Sequence, residues 1–346
     1  MAAERITIEQ IARACGVSLA TVSLVLNNNP RISAKTRQRI WQKIHQLNYQ
    51  PNWWARSLAR KNSHLIATVL PPLENIFSDT FFANALEGIF SVLRPRHYEL
   101  VLKIATNEVE PQIAEYRRLL SSRFISGLIF LGGEVSEYKF LKEIGRDFPV
   151  LLVGGYLPGN SVSSVSGDNR NGGYLATRYL LDLGHRRIAM IYGNQKVLSA
   201  AERYQGYLQA LKEAGVKPDK NWLVDGYFRE MEGFLAMKKL LMLPAAIRPS
   251  AVFAGNDMMA LGALAAIKQA GLSVPKDISL VGMDNIYQTE ICDPPLTTIH
   301  YPVYAFGAYA AQKLVDFLEG RTREFLPFHK TFGVKLIIRQ SCRKIK

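Results

Sequence analysis

Residues 7–26, TIEQIARACGVSLATVSLVL, confine the front of the chain to two short amphipathic helices joined by a tight turn. Thr7 is a helix-capping residue, and Gln10 stands three residues later, the spacing of a capping box. Ile8, Ile11 and Ala12 then share one helical face. Gly16 supplies the turn, because glycine enters positive φ without a Cβ penalty. Ser18 caps a second helix whose Val22, Val25 and Leu26 point inward, which leaves Leu19, Ala20, Thr21, Ser23 and Leu24 to face a groove. A capped helix pair with small outward residues also serves plain packing, so charge and the following residues have to decide its role.

A third helix follows in ISAKTRQRIWQKIHQLNY, with Ser33 as its cap and Ile40, Ile44 and Leu47 at helical spacing. Three helices in so few residues bury only a small core. Next comes PNWWARSLARKN, where Pro51 opens a run of helix formers bounded by Asn62. The run is too short to hold a helix alone and predicts one that forms on docking, as a hinge between head and body. Residues 1–61 carry ten Lys or Arg against Glu4 and Glu9, a net +8 of the chain's +14. The last twelve residues add five basic groups and no acid, so the 273 between sit near +1. A basic head on a nearly neutral body is the footprint of a phosphate-binding module, whereas solubilising charge would be spread evenly. The basic tail reads as a solvated end.

At 346 residues and 48% hydrophobic content the chain can bury one large core or two medium ones beside the head. It has no run of eighteen apolar residues and no apolar signal segment before the first helix, so no membrane association and a cytoplasmic location are expected. Cys15, Cys292 and Cys342 are far apart and form no CxxC pair, which fits reduced cytosolic thiols. Six scattered histidines show no metal spacing, and no Walker loop, GxGxxG or GxSxG elbow occurs. No metal, cofactor or catalytic residue is therefore expected.

From His64 onward short apolar runs alternate with amphipathic helices. Strands are expected at 65–70, 99–104, 127–131, 150–153, 188–192, 251–255 and 278–282. Helical stretches such as FFANALEGIFSVL, GYLATRYLLDLG, ERYQGYLQALKEAG and MMALGALAAIKQAG lie between them. Continuous Val/Ile/Leu strands separated by helices predict parallel sheets covered on both faces. Two such halves place a cleft outside the carboxyl ends of their strands, where small molecules bind.

Together, TIEQIARACGVSLATVSLVLN, ISAKTRQRI, LNYQPN, ARSLAR and, far downstream, VKLIIRQSC resemble the LacI/GalR family of bacterial transcription repressors, and the resemblance covers essentially the whole chain. It implies an α/β fold: a three-helix helix-turn-helix domain (1–50), a hinge helix (51–63) and a two-lobed, periplasmic-binding-protein-like, doubly wound effector domain (64–346). The lobes would span about 64–163 with 296–326 and about 164–295 with 327–346, the chain crossing near 163, 295 and 326. By the same resemblance Leu19, Ala20 and Leu24 face base edges in the major groove. Thr7, Ser18, Thr21, Ser23, Asn27, Ser33 and Thr36 lie toward the phosphates. Leu58 enters the minor groove beside Ala55 and Arg56, and Asn52 joins the DNA-binding set. An apolar wedge unstacks a base step, and flanking Arg56, Arg60 and Lys61 favour that role over a core leucine. Many members carry arginine where Leu24 stands; leucine cannot donate to guanine, so the half-site should differ. Trp53 and Trp54 are bulky for the hinge.

The ligand set that the resemblance implies is Asp257 in AGND, Asp284 in VGMD, Asn256, and Arg203 in SAAERYQGY. Ser199 and Phe228 approach the ligand, and Phe81 and Phe82 cover it from the first lobe. Carboxylates, an amide and a guanidinium against aromatic rings suit a polyhydroxylated or anionic molecule; for Asp257 a helix N-cap role stands equally open. Gly154 and Gly155 stand where relatives carry a polar pair, and Tyr301 and Val303 replace other groups at the lobe boundary. A larger ligand filling the space left by those glycines thus stands beside a hexose. The preferred reading is a homodimeric repressor on palindromic double-stranded operator DNA, controlled by a small-molecule effector between the lobes. A missing leucine heptad tail speaks against a tetramer. Two other readings are a solute-binding protein of a transport system, disfavoured by the basic head and absent signal segment, and an enzyme on a doubly wound sheet, which lacks its motifs.

Overall fold

The computed structural model describes residues 6–26, 29–49, 63–73, 76–106, 108–134, 140–157, 159, 161–325 and 327–345. The chain forms two compact units, Met1–Ser63 and His64–Lys346. In the first, α1 (Ile8–Cys15), α2 (Leu19–Leu26) and α3 (Ala34–Gln46) close over Ile11, Val22, Val25 and Ile40, all fully buried. The expected capping box is formed: Gln10 N–H donates to Thr7 Oγ1 at 3.4 Å and Thr7 N–H to Gln10 Oε1 at 2.8 Å. Gly16 ends α1 at φ 61°, and α1 and α2 meet at 107°, within the range of a helix-turn-helix. The hinge residues 51–62, including Trp53 and Trp54, lie outside the described residues, as do Asn27, Asn52, Ala55, Arg56 and Leu58.

The second unit holds two six-stranded sheets. Its strands are β1 (Leu65–Leu70), β2 (Glu99–Ile104), β3 (Gly127–Leu131), β4 (Val150–Val153), β5 (Ser163–Gly167), β6 (Ile188–Tyr192), β7 (Leu223–Asp225), β8 (Ala251–Ala254), β9 (Ser279–Asp284), β10 (Thr297–His300), β11 (His329–Phe332) and β12 (Lys335–Ile337). The orders are β11-β5-β4-β3-β1-β2 and β12-β10-β9-β8-β6-β7. Both repeat the arrangement in which strand order reverses beside the first strand, the doubly wound pattern with a ligand crevice at that point. Every pairing is parallel except β10 with β12. Because β5 and β11 belong to the first sheet and β10 to the second, the chain passes between sheets after Gly167, His300 and Phe332. Each crossing falls a few residues beyond the expected 163, 295 and 326.

Three helix pairs cover the sheets, and each makes its closest approach through glycine. In the pair Asn169–Asp182 and Leu198–Glu213, a Cβ on Gly173 would strike the carbonyl of Arg203, and one on Gly206 the carbonyl of Arg170. The pairs Thr80–Leu93 with Val303–Leu318 and Glu230–Leu241 with Asp257–Gln269 meet the same way, through Gly88 and Gly307 and through Gly233 and Gly262. Backbone meets backbone there, which fixes each pair in register.

Candidate functional site: a helix-turn-helix face and an interlobe cleft

On α2 the side chains divide by face. Val22, Val25 and Leu26 are buried, while Leu19 is 45% and Leu24 37% exposed and Ala20 is open to solvent. Leu19 and Leu24 thus lie outside the head's own core. Hydroxyls gather at the helix starts: Ser18 Oγ accepts from Thr21 N–H at 3.1 Å and lies 2.9 Å from Thr21 Oγ1, and Ser33 with Thr36 repeats the arrangement before α3. Those N-termini are suited to an anion through their unpaired N–H groups. Ser23 is half-buried on α2.

In the body, residues at the ends of β5, β8, β9 and β10 converge where the lobes meet, the interlobe cleft, on Arg203, which is only 4% exposed. The guanidinium donates through Nε to Asn169 Oδ1 at 3.1 Å and through Nη1 to the Gly255 carbonyl, and Nη2 lies 3.7 Å from Asp284 Oδ1. It is stacked over the Tyr301 ring at 4.9 Å, with the Phe228 ring 5.8 Å away. Burial pushes the Asp284 carboxyl well above the usual range; Arg203 opposes this, and the neighbouring charges of Asp257 and Asp79 add to it. Four non-glycine residues at this rim hold positive φ: Tyr227 at 48°, Phe228 at 63°, Asp284 at 130° and Asn285 at 63°. Strain of this kind persists only where the surroundings enforce it, and it clusters at ligand sites.

The geometry sorts the expected ligand residues. Arg203, Asp284 and Phe228 come together, and Ser199 is half-buried four residues before Arg203, on the same helix face. Phe81 is half-buried at the first-lobe rim. Phe82, by contrast, is buried in the core and meets Phe81 edge-on at 5.2 Å, so it backs that ring rather than covering a ligand. Asn256 is the cap of the helix Asp257–Gln269: its Oδ1 accepts from Met259 N–H at 2.9 Å and its amide donates to the Phe228 carbonyl at 3.0 Å. Asp257 is fully buried, and its two oxygens accept from the Thr298 hydroxyl at 2.6 Å and Ile286 N–H at 3.0 Å. Both residues therefore shape the cleft from behind, and the cap is Asn256, not Asp257. The space expected to be vacated at Gly154 is filled, because the Phe81 ring rests on that α-carbon, and the Phe228 ring rests likewise on Gly193 in the other lobe. At Gly154 the smaller residue makes room for a phenyl ring of the chain itself, whereas at Gly155 an added Cβ would meet only ordinary contact with Leu152.

Several residues at the cleft carry no signal in the sequence. Tyr156, Glu202 and Asn169 join the lobes beside Arg203, and Glu134 accepts from the Asn194 amide at 2.9 Å across the cleft. A register of buried strand ends could have flagged Asn169, but β5 reads SSVSG and lacks an apolar run.

Asp257 gives a pH-dependent prediction. Burial raises it from its ordinary 3.8 to about 6, outweighing the hydrogen bonds from Thr298, Ile286 and Asn285 that favour the carboxylate. Between those values the folded chain holds a proton that the unfolded chain has released. This carboxyl therefore favours folding most at low pH, and that contribution is lost as pH rises through about 6. The melting temperature of wild type relative to Asp257→Asn should fall across that window and level off above it; parallel profiles would remove the assignment.

A basic helix-turn-helix head joined to a two-lobed α/β body is the domain organisation of a class of transcription regulators. Residues 7–52 match the bacterial regulatory proteins of the lacI family, and residues 177–342 a periplasmic binding protein-like domain. The HTH-type transcriptional repressor PurR of Histophilus somni (strain 129Pt) is 33% identical over 98% of this chain and 99% of its own length. PurR of Escherichia coli O139:H28 (strain E24377A / ETEC) is 34% identical over 92% of each. Among solved structures, the lac repressor dimer bound to operator and the anti-inducer ONPF superposes with a TM-score of 0.85 at 28% identity, covering 98% of this chain and all of that one. A complex of the transcriptional regulator CelR with cellobiose gives 0.72 at 31% identity over 97% of this chain and 100% of that one. The chain belongs to the LacI family of bacterial regulatory proteins. The repressor names borne by its relatives favour regulation over transport, and among the described residues no single helix is long and apolar enough to cross a membrane.

Proposed function

We propose that this chain is a cytoplasmic, homodimeric repressor that reads a palindromic operator with α2 and is switched by a small molecule held between the lobes. The observation that carries the reading is the outward face of α2, two exposed leucines and an alanine on a capped helix at 107° to its partner, in the most basic part of the chain. Leu19, Ala20 and Leu24 meet base edges; Thr7, Ser18, Thr21, Ser23, Asn27, Ser33 and Thr36 hold the backbone; Leu58 wedges a base step with Ala55 and Arg56 beside it, and Asn52 also belongs to the DNA-binding set. A second copy sits on the first lobe, where Leu102 and Ile104 of edge strand β2 and Phe90 and Tyr304 of the helix pair are exposed apolar groups. An unprotected apolar edge of this kind favours association. Arg203, Asp284, Phe228, Ser199 and Phe81 contact the effector, with Asn256, Asp257 and Phe82 behind them. No group is assigned a catalytic role.

The test is operator selection from random duplexes, followed by titration of sugars, sugar acids and nucleosides against the complex. A specific palindrome is expected, with affinity falling steeply as salt rises. Leu24→Arg should move the preferred base at one half-site position toward guanine, a discrimination of about 1–3 kcal/mol. No enriched palindrome would refute the reading, and an unchanged half-site in Leu24→Arg would remove Leu24 from the base-reading set.

A further inference from the structure

Arg203 belongs to the second lobe, yet the atoms that orient it can be followed into the first. Tyr156 leaves the end of β4, and its hydroxyl donates to Glu202 Oε1 at 2.7 Å. Glu202 stands on the second-lobe helix Leu198–Glu213, and its other oxygen accepts from the Asn169 amide at 3.2 Å. Asn169 is the first helical residue after the chain leaves the first sheet, and its Oδ1 accepts from Arg203 Nε at 3.1 Å. The direction of every bond follows from one fact: a carboxylate can only accept. Glu202 calls for a donor from Tyr156 and the NH2 side of Asn169, which turns the amide oxygen to the guanidinium. A second acceptor, the Gly167 carbonyl at 3.2 Å, holds the amide the same way.

The first lobe also holds Tyr156 in place. His329 on β11 packs its ring 4.6 Å from the Tyr156 ring, and its Nδ1 is 2.8 Å from Ser164 Oγ on β5. The bond to Glu202, with some burial, pushes the Tyr156 hydroxyl up to about 12, so it stays a donor at any physiological pH.

We propose that Tyr156, Glu202 and Asn169 are positioning residues that set Arg203 only while the lobes are together, making lobe closure and ligand recognition one event. The proposal rests on the cleft being the effector site. The relay gives the first lobe a hold on the ligand-facing guanidinium without touching a ligand itself. Opening the lobes withdraws the Tyr156 hydroxyl and lets the Glu202 carboxylate turn, so in the open state Arg203 keeps its Gly255 and Asp284 contacts but the Asn169 oxygen no longer fixes its Nε. A ligand that needs Arg203 then binds the closed state better, and that difference in affinity is what a ligand requires to shift the equilibrium.

The test needs no ligand. Spin labels are attached to the full chain at exposed Arg118 and Lys220, one on each lobe, through unnatural amino acids, and their separation is read by double electron–electron resonance. The Arg203 Nε–H resonance is followed in parallel by 15N NMR and assigned by its loss in Arg203→Lys. Tyr156→Phe and Glu202→Gln should each raise the ratio of long to short distances about tenfold and broaden the Nε–H signal. Their combination should add little to either alone, because both break one chain. Glutamine at 202 keeps the volume but offers NH2 to a donor, so loss in that variant cannot come from a cavity. Wild-type distances in both single variants would overturn the proposal, and so would altered distances with an unchanged Nε–H signal. If no small molecule affected operator binding, the effector reading would fail while these two measurements still reported on the relay.

Discussion

Arg203→Ala is expected to abolish the effector response, with the ligand's dissociation constant rising about a hundredfold, while operator binding persists. Hydrogen bonds to a charged group each contribute about 1.5–3 kcal/mol, and 1.4 kcal/mol is tenfold in affinity. The substitution also strips Asp284 of the guanidinium 3.7 Å away in a nearly closed site. Removing one partner of a buried pair costs about 3–5 kcal/mol of stability, a large share of what a domain has. The binding measurement therefore belongs well below the melting temperature, with circular dichroism confirming the fold. Undiminished effector affinity in a folded Arg203→Ala protein would take Arg203 out of the site.

Gly206→Val should cost about 3 kcal/mol or more and lower the melting temperature by roughly 10 °C. A side chain there strikes the carbonyl of Arg170 on the neighbouring helix, and backbone cannot rotate aside as a flexible side chain can. The two helices must separate, and Gly173 loses its contact with the backbone of Arg203. Gly333→Ala is the internal control: an added Cβ meets open space, and a change under about 0.5 kcal/mol is expected. Equal melting temperatures for Gly206→Val and wild type would mean that the helices pack less closely than described.

The head was legible in the sequence almost atom by atom, because its signals are local. Thr7 with Gln10, Gly16 at positive φ, and the split between Val22, Val25, Leu26 and Leu19, Ala20, Leu24 all depend on residues within a few positions of one another. The seven apolar strands of the body were legible for the same reason, each being a continuous hydrophobic run. β5, β7, β10, β11 and β12 were not: SSVSG, TTIH and HKTF are polar segments that pair with neighbouring strands, and LVD and KLI are only three residues long. β5, β10 and β11 adjoin the crossings between lobes, whose expected positions came from the family resemblance and not from a strand pattern. In the cleft, chemistry was legible residue by residue but orientation was not. Asp257 and Asn256 are the residue types of a ligand contact, yet Thr298, Ile286, Met259 and Phe228 already claim their polar atoms. Gly154 looked like an opening until Phe81, more than seventy positions earlier, was seen to lie on it.

The placement of β11 and β12 has a consequence for biogenesis. Each is the outermost strand on one side of its sheet, and both are built from residues 329–337, translated after every other strand of either lobe. A ribosome can thus release a finished head, whose three helices are complete by Gln46, long before either half of the clamp has its last strand. A nascent chain stalled before residue 329 therefore carries all three head helices while each sheet of the body still lacks its last strand.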